Sequence, residues 1–74
     1  MRDYHINIFY SEDDGGYIAD IPDLKACSAF GDTPDEALQE VQKAKILWIE
    51  AANAEDKQVP PPKFRPVIYQ AQFA

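Results

Sequence analysis

Tyr4, Ile6, Ile8 and Tyr10 alternate with His5, Asn7 and Phe9 near the start of the chain. A period of two marks a strand with one buried face, so this stretch is predicted as the first strand. Residues 11–16, Ser-Glu-Asp-Asp-Gly-Gly, are polar, and both Gly15 and Gly16 can take positive φ, which predicts a hairpin loop. Tyr17, Ala19 and Ile21 carry a return strand until Pro22-Asp23 interrupts it. Residues 25–30 are short, β-compatible and closed by Gly31-Asp32, which predicts a third strand.

The period then changes to that of a helix. Thr33 can accept hydrogen bonds from the first free backbone donors, and Pro34 stands where a missing N–H is harmless. Glu36, three residues after Thr33, completes a capping box. From 34 to about 53 there is no Gly or Pro after the first position, and Ala37, Val41, Ala44, Trp48, Ala51 and Ala52 fall on one face, the core side. Leu38 and Ile49 lie on one shoulder of this stripe and Leu47 on the other. Ile46 points away among Asp35, Gln39, Glu50 and Asn53, either as an ordinary solvent-facing residue or as a subunit or partner contact. Gly15, Gly16, Gly31, Thr33, Pro34, Glu36 and Trp48 are therefore expected to act structurally.

Val59-Pro60-Pro61-Pro62 cannot be helical and reads as a polyproline II spacer over 59–66 that carries the chain back across the domain. A last strand is predicted over 67–73, where Val67, Tyr69, Ala71 and Phe73 alternate with Ile68, Gln70 and Gln72. The order β-β-β-α-β makes 1–74 one small α+β domain with its core in 3–56, a single sheet covered on one face by one helix. A chain this short buries only about 60% of its unfolded surface. A terminal strand with apolar residues on both faces is hazardous at a sheet edge. A homodimer or higher oligomer is expected, with Val67, Ile68, Tyr69 and Phe73 as its adhesive rim and Ile46 and Ile49 as a second patch.

Charge narrows the partners. The formal net charge is −6, and all 13 acidic residues lie within 1–56, against only Arg2, Lys25, Lys43 and Lys45 there; Lys57, Lys63 and Arg65 follow. Such a surface repels phosphate, so direct DNA or RNA binding is not expected. An acidic surface complements a basic protein, and it also serves plain solubility.

Catalysis finds little support. His5 and Cys27 are the only His and Cys, too few for a Cys/His metal set, and a dyad between them would need both on one sheet face. His5 reads as a solvated or hydrogen-bonded residue and Cys27 as a small buried hydrophobe. Asp3 with Asp20 is the one carboxylate pair suggestive of two-metal chemistry, whose ions sit about 4 Å apart. The remaining acids suit a hairpin and a helix N-terminus. Gly15-Gly16 opens no helix, so no phosphate loop is expected, and the aromatics Tyr4, Tyr10, Tyr17, Trp48, Tyr69 and Phe73 lack the interleaved cations of a stacking platform. No cofactor is expected. One unpaired Cys, no signal-like segment and no long apolar run predict a cytoplasmic protein without a membrane span.

The run Gly15-Gly16-Tyr17, Ala19, Pro22-Asp23-Leu24, Cys27, Ala29, Gly31-Asp32-Thr33-Pro34-Asp35-Glu36-Ala37-Leu38, with Trp48-Ile49-Glu50 and a later Pro-x-Pro, resembles the N-terminal domain of the HicB-like antitoxin family over residues 4–62. The resemblance implies a sheet-and-helix fold related to a reduced ribonuclease H core, in a protein that binds and silences a small HicA-type ribonuclease toxin. Two departures stand out. Many family members have Pro-Gly where this chain has Lys25-Ala26, and many carry a further DNA-binding module beyond the stretch matched here. The expected function is thus that of an antitoxin-like protein-binding module without chemistry of its own. The alternatives are a stand-alone oligomeric scaffold or ligand-responsive module of the same fold, and a vestigial nuclease.

Overall fold

The protein is described by a computed structural model over residues 3–65. Strands β1 (Asn7–Ser11), β2 (Gly16–Asp20) and β3 (Ser28–Gly31) precede one helix, α1 (Pro34–Ala54). The strands form an antiparallel sheet in the order β1-β2-β3. The architecture is α+β, with the helix on one face, as the alternation of periods predicted. The strand expected over 67–73, and with it Val67, Ile68, Tyr69 and Phe73, lies outside the described residues.

Register decides which side chains share a face. Ile8 stands opposite Ala19 and Ala19 opposite Ala29, while Tyr10, Tyr17 and Gly31 form the next row on the same side. This side faces the helix, because Ala19 is fully buried with Ala37 and Val41 of α1 and with Ile21, Leu24 and Cys27 from the β2–β3 connection. Ile21 and Leu24 fill the end of the core just beyond β2, so Pro22 interrupts the strand without taking its apolar residues out of the interior.

The first strand is shorter than its alternation suggests. It begins at Asn7, and Tyr4 and Ile6 pack against the core from the extended segment before it. Ile8 and Tyr10 keep the helix-side parity but stay exposed, since α1 lies mainly over β3 and β2 and least over β1. One helix about 10 Å wide cannot cover three strands spaced nearly 5 Å apart.

The two hairpin glycines differ. Gly15 takes φ +71 and donates its N–H to the Ser11 carbonyl oxygen at 2.9 Å, closing the turn, with Ser11 Oγ donating to Asp14 at 2.8 Å. Gly16 does not share that conformation. It is the first residue of β2, opposite Ser11, and the Phe30 ring occupies the space where a side chain would project.

Helix α1 starts as predicted. Thr33 is the N-cap, its Oγ1 accepting from the Glu36 N–H at 3.1 Å, and the Glu36 carboxylate reaches back to accept from the Asp32 N–H at 3.1 Å. The far end closes with Lys57 N–H on Ala52 O and Asp56 N–H on Asn53 O, which requires Asp56 to adopt φ +58. This is a Schellman arrangement with Asp where Gly is usual.

Ala26, in the β2–β3 connection, also takes a left-handed φ of +58. The turn is held by Cys27 N–H on Leu24 O, by Ile21 N–H on Cys27 O, and by Trp48 Nε1 donating to Lys25 O at 2.9 Å. An L-residue with a Cβ is strained there and glycine is not, which gives the Lys25-Ala26 departure a physical meaning. Ala26→Gly is expected to raise stability by about 0.5–1 kcal/mol, the relieved strain exceeding the added freedom of the unfolded chain. Thermal unfolding should then shift upwards by a few degrees; an unchanged or lower midpoint would show the turn to be unstrained.

Candidate interaction surface

Two groups of side chains carry the protein's surface character, one charged and one apolar. The charged group follows from topology. Glu12, Asp13 and Asp14 form the hairpin tip, next to the row of Tyr10, Tyr17 and Gly31. The chain leaves Gly31 directly into Asp32, Asp35 and Glu36 at the start of α1. The β1–β2 turn and the helix N-terminus therefore occupy one end of the sheet, and six exposed carboxylates gather there. Part of their role is structural, since acids in the first helical turn offset the macrodipole.

The opposite end is of mixed sign, with Asp20 closing β2 and Asp23 just beyond it alongside the cations. Lys25 lies in the β2–β3 connection, and Lys63 and Arg65 lie in the segment that passes the start of the chain. That segment is pinned at three points: the Tyr4 hydroxyl donates to Pro60 O, the His5 ring meets the Phe64 ring in a tilted contact with 4.7 Å between centroids, and the Asp23 carboxylate accepts from the Lys63 and Phe64 N–H groups at 2.9 and 3.0 Å. The Pro-Asp-Leu motif thus has two jobs in adjacent residues, Leu24 filling the core and Asp23 clipping residues 63 and 64. The stretch expected as a plain spacer is a strap in its described part.

The hydrogen bonds from Phe64 and Lys63, in that order, hold the Asp23 carboxyl below its ordinary value of 3.8. A carboxylate with a lowered folded pKa contributes its stabilisation above the unfolded pKa and loses it as pH falls through the folded one. The Lys63 and Phe64 amide proton shifts should therefore stay constant from pH 7 to about pH 5 and titrate with a midpoint under 3.8, and Asp23→Asn should abolish the titration. A midpoint above the ordinary aspartate value would contradict the clip.

The apolar group lies on the sheet face away from the helix. Phe9 stands opposite Ile18, and Ile18 opposite Phe30, a row across all three strands at the parity opposite to the core. Phe9 is 49% and Phe30 42% exposed, with Ile18 half-buried between them. His5 extends this face away from the hairpin, because its Nε2 meets Asn7 Oδ1 at 2.6 Å and its ring meets Phe64. Alternation made Phe9 a polar-face residue in the sequence reading; the sign that it lines a sticky surface was that Phe9, Ile18 and Phe30 all occupy outward parity.

The other expected contacts fall less evenly. Ile46 is 54% exposed on the outer side of α1, as read from the helical wheel, whereas Ile49 is half-buried, so the two do not make one open patch. Leu47, expected on a shoulder of the core stripe, is 66% exposed, and Ala51 is exposed as well, because α1 presses its Ala37, Val41 and Ala52 line to the sheet and rolls the Leu47 side outwards. Trp48 packs against the core and donates Nε1 to the Lys25 carbonyl oxygen.

The residues considered for chemistry are committed elsewhere. Asp3 accepts from the Tyr4 N–H at 2.7 Å and from Lys45 Nζ at 3.2 Å, and these bonds lower its pKa. Asp20 stands on the open face in a row with Asn7 and Ser28. Cys27 is buried, and burial pushes its thiol up, away from the reactive thiolate. Among the described residues no three His, Cys, Asp or Glu side chains gather as a metal site, and no helix is long and apolar enough to cross a membrane.

The family described as HicB-like antitoxin of bacterial toxin-antitoxin system matches residues 4–72. The chain is also similar to three UPF0150 proteins of Synechocystis sp. One, ssl0259, is 38% identical over 53 residues, which is 72% of this chain and 73% of the relative. The second, ssr1765, is 49% identical over 47 residues, 64% of this chain and 60% of the relative, and the third, ssr1258, is 39% identical over 44 residues, 60% and 64%. No solved structure matches the chain. With nearly its whole length matched, the chain belongs to the HicB-like antitoxin family of bacterial toxin-antitoxin systems.

Proposed function

We propose that the domain acts by binding, as an antitoxin that covers a small basic ribonuclease toxin of the HicA type. Family membership supports this reading, and the observation that carries it to particular residues is the gathering of Glu12, Asp13, Asp14, Asp32, Asp35 and Glu36 at one end of the sheet. A ribonuclease must offer cations to RNA, and a rigid acidic end competes for the same cations. The β-β-β-α arrangement serves here as a reduced ribonuclease H-type core used for adhesion. The domain works in the cytoplasm without a cofactor and without contacting DNA itself. Ile46 on α1, and Val67, Ile68, Tyr69 and Phe73 on sequence grounds, add apolar contacts between copies or to the toxin.

The test is inhibition. A small basic protein encoded beside this chain should cleave RNA alone and lose that activity when the purified domain is added at equal concentration. RNA cleavage unaffected by a tenfold excess of the domain would overturn the reading.

A further inference from the structure

We propose that the part of β1 left uncovered on the helix side of the sheet, centred on Tyr10, receives an arginine side chain of the basic partner, the guanidinium lying on the Tyr10 ring with its charge held by Glu12, Asp13 and Asp35. The partner's identity rests on the antitoxin reading above; the contact itself does not. Because α1 is displaced towards β3, Ile8 and Tyr10 stand open on the side of the sheet that elsewhere forms the core. Tyr17 and Leu38, half-buried and packed against that core, bound the opening on the helix side. Leu38 lies about two turns before Lys45, whose ammonium reaches Asp3 ahead of β1, so both stand on the flank of α1 that turns to β1. The Tyr10 and Tyr17 rings meet edge to face, with centroids 5.3 Å and planes 73° apart. This is not a stack, and Tyr10, 55% exposed, keeps a ring face to solvent.

Charge selects the occupant. The hairpin tip follows Tyr10 directly, and Asp35, in the first turn of α1, shares the flank of Leu38. The ion pairs among the described residues engage Asp3, Glu40 and Glu55, and the capping box uses Glu36, so Glu12, Asp13 and Asp35 have no cation of their own there. Lys45, the cation of this flank, is drawn to Asp3 at the end away from the hairpin. A second copy of the chain would bring its own acids onto the opening, and a purely apolar partner would leave these carboxylates unmatched. A guanidinium is planar and weakly hydrated, so it can lie flat on an aromatic face while its N–H groups point sideways to carboxylates. An ammonium keeps its water and gains little from the ring.

Hexa-arginine and hexa-lysine peptides carry equal charge and separate the ring from the carboxylates on this chain alone. In proton NMR of the unmodified chain, hexa-arginine should shift the Tyr10 and Tyr17 ring resonances and bind about tenfold more tightly than hexa-lysine. Tyr10→Ala should remove that preference while keeping the circular dichroism of the fold, Tyr10→Phe should retain it, and Leu47→Ala, on the other shoulder of α1, should leave it unchanged. With the neighbour-encoded ribonuclease, Tyr10→Ala should raise the concentration needed for half-inhibition about tenfold. Equal binding of the two peptides, ring resonances that do not move, or nuclear Overhauser contacts showing the Tyr10 ring covered by residues 67–73 of the same chain would overturn the contact. Inhibition left intact by Tyr10→Ala would overturn it while the antitoxin reading stands. RNA cleavage untouched even by the unmodified domain would overturn that reading and with it the partner named here.

Discussion

Replacing Gly31 with Ala is expected to remove about 3 kcal/mol of stability. A Cβ at Gly31 would stand 2.3 Å from the Ala37 nitrogen, 2.7 Å from the Glu36 carbonyl carbon and 2.8 Å from Glu36 Cβ. Two of these are helix backbone and the third is fixed to it, so no side-chain tip can swing aside. Either β3 or the first turn of α1 must move, and both are bound to Thr33 capping and to the buried Ala37. Gly31 is thus required for close approach rather than for a left-handed turn, which separates it from Gly15, where φ is +71 and a Cβ would meet nothing within 4 Å. Urea denaturation would read the loss; a change under about 1 kcal/mol at Gly31 would mean that the strand and helix slide apart easily.

Leu24→Ala is expected to cost a similar amount, about 2–5 kcal/mol. Leu24 is 1% exposed in a core whose other members are Ala19, Ile21, Cys27, Ala37 and Val41, most of them small. Small neighbours have little reach to refill the space, so the cavity persists and adds its own term. A domain of this size has a total stability of about 4–11 kcal/mol, so the loss is a large fraction of it and the thermal midpoint should fall by about 10–30 °C. Unfolding measured by circular dichroism with a midpoint within a few degrees of the parent would show that the core collapses around the loss. The neighbouring Asp23→Asn should leave that midpoint nearly unchanged, since Asp23 clips an exposed strap.

These two residues also mark how far the sequence could be read. Local chemistry was legible: Thr33, Pro34 and Glu36 announced the helix, Gly15 the turn, and the return from Tyr17 to Asp20 the hairpin. Gly31 and Leu24 were visible as parts of a family pattern, but the reason for each is tertiary, a backbone approach in one case and a small-residue core in the other. The offset of α1 towards β3 was not legible. It depends on which strands one helix can cover, and it leaves Ile8, Tyr10 and Leu47 outside a core that periodicity assigned them to. The apolar outer face was half legible, because Phe9, Ile18 and Phe30 occupy outward positions on three separate strands and only the register brings them into one row. Asp23 showed its partners only once residues 63 and 64 were in place.

Charge reversal at the hairpin bears most directly on the central claim, that the acidic end of the sheet is what meets a cationic protein. The affinity of the basic neighbour-encoded protein should be measured against the unmodified domain and against a Glu12→Lys, Asp13→Lys, Asp14→Lys triple variant, at low and at physiological salt. The account predicts that binding of the unmodified domain weakens as salt rises, and that the variant binds at least tenfold more weakly at low salt with most of that salt dependence gone. Equal affinity for both domains, with the same response to salt, would contradict it.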